Sequence, residues 1–126
     1  MEKEIISTAS APKAVGPYSQ AVKANGFLYI SGQLPIVPET GEFVSNDVVE
    51  QAEQCIKNVG AILAEAGMTY DNVVKATVFL TDIADFAKVN EVYAKYFKAP
   101  YPARSAFSIT ALPKGGLVEV EVVAAE

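Results

Sequence analysis

The residue order predicts an α+β domain: one sheet backed by two helices, in the order βββαβαββ. Three observations carry this. Asn25-Gly26 separates two apolar stretches, two later segments repeat apolar residues at helical spacing, and β-branched runs occur at Val73–Leu80 and near the C-terminus. A length of 126 residues fits one domain spanning 1–126.

Residues 3–7 read as a short first strand. Residues 9–18 contain Pro12, Gly16 and Pro17 and read as an ordered loop. Residues 20–24 and 27–33 flank Asn25-Gly26, a pair suited to a type I′ turn because both central positions need positive φ, so a hairpin is expected. Ser31-Gly32 interrupts the second of these strands with two small residues. After a turn region at 35–42, Asp47 can cap a helix with Glu50 three residues on. Val48, Ala52, Cys55, Ile56, Val59, Ile62, Leu63 and Ala66 form its apolar stripe, and Gly67 suits the stop.

Val73–Leu80 is apolar with few interruptions, as a central strand covered on both faces would be. Asp82 is then expected to cap the second helix, with Ile83, Phe86, Val89, Asn90, Tyr93 and Phe97 on its inner stripe and Pro100 and Pro102 beyond its end. Two final strands, 106–111 and 117–124, are joined by Pro113-Lys114-Gly115-Gly116. In the last, Val118, Val120 and Val122 point to one face, whereas Leu117, Glu119, Glu121 and Val123 point to the other. Periodicity alone favours a solvated face for the two carboxylates. On an interface, at least one would be semi-buried, its pKa raised toward the range of a general base.

Composition narrows the chemistry. There is no histidine and one cysteine, Cys55, which excludes Ser-His-Asp and Cys-His nucleophiles, imidazole acid/base work, a Cys/His zinc site and an internal disulfide. The opening Met1-Glu2-Lys3-Glu4 lacks a charged-then-apolar leader, so a cytoplasmic location is expected. Net charge is −5 and the lysines are scattered, which argues against a nucleic-acid partner. No apolar run approaches the roughly 18 to 20 residues that span a bilayer. Yet 51% of the residues are hydrophobic, more than so small a globule can hide, and an obligate homo-oligomer with an apolar interface is expected.

Arg104 is the single arginine, against nine lysines. A guanidinium grips a carboxylate or phosphate through two parallel hydrogen bonds, as an ammonium does not. From this residue alone, an anion clamp and a structural ion pair or carbonyl clamp stand equal.

Gly16-Pro17-Tyr18-Ser19-Gln20, Ser31-Gly32-Gln33-Leu34-Pro35, Val89-Asn90-Glu91-Val92-Tyr93, Pro102-Ala103-Arg104-Ser105, Leu112-Pro113-Lys114 and Val118-Glu119-Val120-Glu121 follow one another along the chain. In this order they resemble the reactive-intermediate deaminases, the RidA (YjgF-type) family, over essentially the whole sequence. The resemblance implies a homotrimer of chorismate-mutase-like subunits with active sites in the clefts between them. It also implies hydrolysis of 2-imino acids, such as 2-iminobutanoate and 2-iminopropanoate, to 2-oxo acids and ammonia, with no metal or organic cofactor.

By the same resemblance, Arg104 matches the carboxylate-binding arginine and Glu119 the carboxylate that orients or deprotonates water. Tyr18 matches an aromatic donor, and Ser31 and Gly32 a strand break that approaches the substrate; on the residues alone, Tyr18 reads first as the anchor of a proline-bounded loop and Ser31-Gly32 also as a plain β-bulge. These roles suit the reaction, since a 2-imino acid is a small carboxylate beside an electrophilic C=N carbon. Asn90 is expected first to tie a neighbouring loop's backbone and second to contact substrate. Lys114 reads as solvated and Cys55 as core. Many family members carry a cysteine two residues after the arginine, where this chain has Ala106, so a mechanism that needs that thiol cannot operate here. Two other functions stay open: a non-catalytic small-carboxylate sensor or regulatory protein of the same fold, and a ribonuclease, which the missing histidine and the negative charge oppose.

Overall fold

A computed structural model describes residues 1–126. Its strands are β1 (Glu4–Ile6), β2 (Ala21–Ala24), β3 (Phe27–Gln33), β4 (Val73–Leu80), β5 (Ala103–Ser108) and β6 (Val118–Ala125). Helix α1 (Val48–Glu65) lies between β3 and β4, and α2 (Phe86–Tyr96) between β4 and β5. The six strands form one sheet in the order β1-β2-β3-β6-β4-β5, antiparallel except for the β4–β5 pair. This is the α+β arrangement that the residue order predicts.

Local chemistry accounts for most of the element boundaries. Asn25 and Gly26 both take positive φ, 52° and 82°, and close the β2–β3 hairpin. The Asp47 side chain accepts the Glu50 N–H at 3.0 Å at the start of α1, and Gly67, at φ 75°, lies just past its end. α1 buries Val48, Ala52, Cys55, Ile56, Val59, Ile62 and Leu63 against the sheet. The large aliphatic side chains among these contribute about 1.5–3 kcal/mol each. They meet Leu28, Ile30, Ala76, Val78, Leu80, Val118, Val120 and Val122 in one core.

Two expectations are corrected. Asp82 caps a short 3₁₀ turn, Ile83–Asp85, by accepting the Ala84 N–H at 2.9 Å. α2 proper starts only at Phe86, and Ile83 is exposed rather than part of the inner stripe. The fifth strand runs over Ala103–Ser108, not 106–111, because parallel pairing to β4 begins at Lys75↔Ala103, directly after Pro102. Arg104 therefore lies within a strand rather than ahead of one. Strand alternation then fixes which face of the sheet it occupies.

Both helices cover one face. The other face stays open and carries Ile5, Tyr29 and Phe107, each about half exposed at 54%, 50% and 47%, together with Val123, Phe79, Glu119 and Glu121. Phe79 and Phe107 sit side by side there with ring centroids 5.7 Å apart. No helix is long and apolar enough to cross a membrane.

Candidate active site

The sequence-predicted site residues fall into two groups. Tyr18, Ser31, Gly32 and Glu119 line one cleft of about 570 Å³ at the end of the sheet, with Lys13, Gln33, Lys114 and Glu121 also in its walls. Asn90 and Arg104 line a second, of about 410 Å³, with Tyr93, Ala94, Tyr101 and Pro102.

The first cleft is built around the interruption of β3. Pairing with β6 slips between Ile30 and Gln33, leaving Ser31 and Gly32 as a bulge that Gln33 Nε2 closes by donating to the Ser31 carbonyl at 3.0 Å. Glu119 projects from β6 over this bulge. A Cβ on Gly32 would stand 2.7 Å from Glu119 Cδ and 3.0 Å from each carboxylate oxygen, so only glycine leaves the carboxylate its place. Burial, and secondly the neighbouring Glu121, raise the Glu119 pKa above the ordinary carboxylate value. Glu119 has no ion-pair partner, since the one salt bridge joins Lys23 to Glu126 at 2.5 Å.

Ser31 is less available than expected. Its hydroxyl donates to the Ser19 carbonyl at 2.7 Å and its N–H to the Gln20 carbonyl at 2.9 Å, so only the hydroxyl oxygen remains, as an acceptor. Tyr18 is exposed at the mouth of the cleft. Lys114 is exposed as expected, at φ 59°, on the same rim.

Arg104 pairs with Ala76, on the helix side of the sheet, and packs on α2. Its guanidinium carbon lies 4.7 Å from the Tyr93 ring centroid and 5.4 Å from that of Phe86, and Nη1 donates to Asn90 Oδ1 at 2.7 Å. Two aromatic rings and one amide thus fix the fork in place while leaving its remaining N–H groups for an anion. Asn90 is exposed rather than buried on the inner stripe, and it holds Arg104 rather than a loop backbone. Ala106 follows Arg104 on the same face and packs against the core. Cys55 is fully buried, its thiol against the Val118 carbonyl at 3.5 Å, and burial raises its pKa well above the ordinary value.

Arg104 and Glu119 do not meet within the chain. The ladders place Arg104 opposite Ala76 and Glu119 opposite Phe79, on strands two apart in the sheet. Two strand spacings and three residues of rise separate their backbones by about 14 Å, with the side chains on opposite faces. The loop residues Pro12, Lys13, Val15, Tyr18 and Gln20 with β3 and β6 thus line the cleft that holds Glu119, and α2 with β5 lines the cleft that holds Arg104.

Sequence reasoning missed the Phe86–Tyr93 cradle under Arg104 and the role of Gln20, whose side chain makes four hydrogen bonds to residues 8–12. Strand alternation about Ala103–Ser108 could have found the first, had the strand been placed correctly. The second left no periodic signal.

Residues 8–126 match the family described as Endoribonuclease L-PSP. The chain is 53% identical to Reactive Intermediate Deaminase A, chloroplastic, of Arabidopsis thaliana, over 98% of this chain and 66% of that longer protein. It is 54% identical to a 2-iminobutanoate/2-iminopropanoate deaminase of Capra hircus, over 98% of this chain and 90% of the other. A crystal structure of the Rid family protein YyfA from Yersinia pestis superposes with a TM-score of 0.97 at 52% identity, covering 99% of this chain and 100% of that one. The fold, the ordered motifs and these likenesses agree, and the chain belongs to the reactive-intermediate deaminase (RidA) family.

Proposed function

We propose that the protein hydrolyses short 2-imino acids, such as 2-iminobutanoate and 2-iminopropanoate, to 2-oxo acids and ammonia. We further propose that it does so in clefts between the subunits of a homotrimer. The observation that carries the reading is Glu119: a half-buried carboxylate without an ion-pair partner, held against Gly32 with its pKa raised, is suited to take a proton from water. Deaminase names on relatives at more than 50% identity along the whole chain support the same reaction.

Because Arg104 and Glu119 stand apart in one subunit, the reading assigns them to opposite walls of a shared cleft. Arg104 of one copy then faces the bulge and Glu119 of the next. The apolar open face around Tyr29, Phe79 and Phe107 gives the copies a surface to bury. Residues of the two half-sites divide the work. Arg104, held by Asn90, grips the substrate carboxylate. Tyr18 and the small Ser31-Gly32 bulge bound the C=N group.

Glu119 accepts a proton from water as the water oxygen bonds to the imine carbon. The C=N electron pair moves to nitrogen, which takes up the proton that Glu119 has just received, so that a tetrahedral amino alcohol results and Glu119 is again a carboxylate. Proton transfer from the new hydroxyl to Glu119 and onward to nitrogen then releases ammonia and leaves the 2-oxo acid. Every step uses only water and these side chains.

The test couples a pyridoxal-dependent threonine or serine dehydratase to the protein and follows 2-oxo acid release. Acceleration that is lost in both Arg104→Ala and Glu119→Gln is the expected result. Absence of acceleration by a correctly assembled protein would overturn the reading in favour of a carboxylate sensor.

A further inference from the structure

The outer wall of the Glu119 cleft has almost no main-chain structure of its own. Within residues 8–19 a single backbone–backbone hydrogen bond occurs, from the Tyr18 N–H to the Gly16 carbonyl at 2.9 Å. Yet Pro12, Lys13, Val15 and Tyr18 from this stretch all line the cleft. One side chain takes the place of a ladder. Gln20, 5% exposed, accepts the Thr8 N–H at 2.7 Å through Oε1. Its Nε2 donates to the carbonyls of Pro12 at 2.8 Å, Thr8 at 3.1 Å and Ala11 at 3.3 Å. Two N–H groups serve three carbonyls, so neither is left for a ligand.

The main chain of the same residue faces the opposite way. The Gln20 carbonyl accepts the Ser31 N–H at 2.9 Å, and the adjacent Ser19 carbonyl accepts the Ser31 hydroxyl at 2.7 Å. Gln20 is thus the joint between the loop that carries Tyr18 and the bulge on which Glu119 rests. Glutamate at this position would lose the donors and set a charge among carbonyl oxygens. Asparagine would fall one methylene short of them.

We propose that the Gln20 carboxamide, which lines the cleft with its polar atoms already paired to the loop, is a positioning residue: it fixes the loop so that Tyr18 stands at its place over the Glu119 cleft, and it acts through Tyr18. Its kinetic consequence rests on the deaminase reading, whereas its effect on the loop does not. The test therefore has two arms, run on Gln20→Glu and on the milder Gln20→Asn.

In the kinetic arm, Gln20→Glu lowers kcat/KM in the dehydratase-coupled assay by about 10- to 100-fold, the effect of a misplacement near 1 Å. In a Tyr18→Phe background the same change costs no more than about twofold, because the group it positions has already been removed. A merely structural glutamine would give the same fold-loss in both backgrounds, and that result overturns the proposal. In the second arm, amide hydrogen exchange needs no ligand. Either variant is expected to speed exchange at Thr8 and Tyr18 at least tenfold while the amides of β4 and β6 keep wild-type rates. Wild-type exchange at Thr8 and Tyr18 in both variants would overturn the proposal, even if the wild-type protein proved not to be a deaminase. A loop loosened in the variants, beside a wild-type protein that shows no turnover, would instead overturn the deaminase reading alone.

Discussion

Gly32→Ala separates activity from folding at one carbon atom. The added Cβ would lie 2.7 Å from Glu119 Cδ, whereas carbon atoms rest at about 3.5–4.0 Å, so the carboxyl group must retreat by about 1 Å. The backbone has no objection. Gly32 does not adopt a left-handed φ, and alanine in an accessible strand conformation gains about 0.4–1 kcal/mol by restricting the unfolded chain. The obstructing atoms belong to a half-buried, flexible side chain, which can yield without disturbing the core. Folding is therefore expected to survive with a melting temperature within a few degrees of wild type. If Glu119 activates water as proposed, a 1 Å displacement of its carboxyl group costs about 100-fold in rate, or about 2.7 kcal/mol of transition-state stabilisation. The dehydratase-coupled assay at saturating substrate measures it, with Glu119→Gln setting the floor. A Gly32→Ala protein that folds normally and keeps kcat within about threefold of wild type would refute the role given to the Glu119–Gly32 contact.

Arg104→Lys keeps the charge and loses the fork. It is expected to raise KM by at least tenfold, and an unchanged KM in the coupled assay would remove the carboxylate-clamp role. The raised pKa of Glu119 gives two pH signatures. Activity should fall as pH drops through that value, and Glu121→Gln should move this limb to lower pH by removing a like charge, read from kcat/KM against pH. For stability, the folded protein holds the Glu119 proton more tightly than the unfolded chain, so stability declines as pH rises from the ordinary carboxylate range through the raised value. Glu119→Gln should accordingly melt higher than wild type at neutral pH while being inactive, and a lower melting temperature would contradict the burial argument. Gly60→Ala should cost about 1–3 kcal/mol in denaturant unfolding, because its Cβ would meet Tyr70, whose hydroxyl donates to the Ile56 carbonyl at 2.8 Å.

Local signals were legible in the sequence and non-local ones were not. Phe27–Gln33 and Val73–Leu80 are strands as read, and Asp47 and Gly67 mark the ends of α1, because turn chemistry, caps and continuous β-branched runs act within a few residues. Alternation along β6 correctly set Glu119 and Glu121 apart from Val118, Val120 and Val122. β5 failed because Tyr101-Pro102-Ala103-Arg104-Ser105 has no clear alternation, and its register comes from parallel pairing with a strand that ends more than twenty residues earlier. With the register went the face of Arg104, and with the face went the separation from Glu119. Asp82 misled because the same side-chain acceptor caps a 3₁₀ turn as readily as an α-helix. Asn90 sits at the border of the inner stripe, where one step of rotation decides between core and surface. Gln20 gave no sign, since its partners are the Thr8 N–H and three carbonyls eight to twelve residues back in a loop without periodicity.

Mixing two inactive proteins tests the division of the site between subunits most directly. Arg104→Ala and Glu119→Gln chains, co-expressed in equal amounts and purified as mixed trimers free of either homotrimer, should regain about one third of wild-type 2-oxo acid release. That is the share of clefts in which an intact Glu119 from one chain meets an intact Arg104 from its neighbour. Activity no higher than that of either variant alone, in assemblies shown to contain both chains, would contradict a cleft shared between copies.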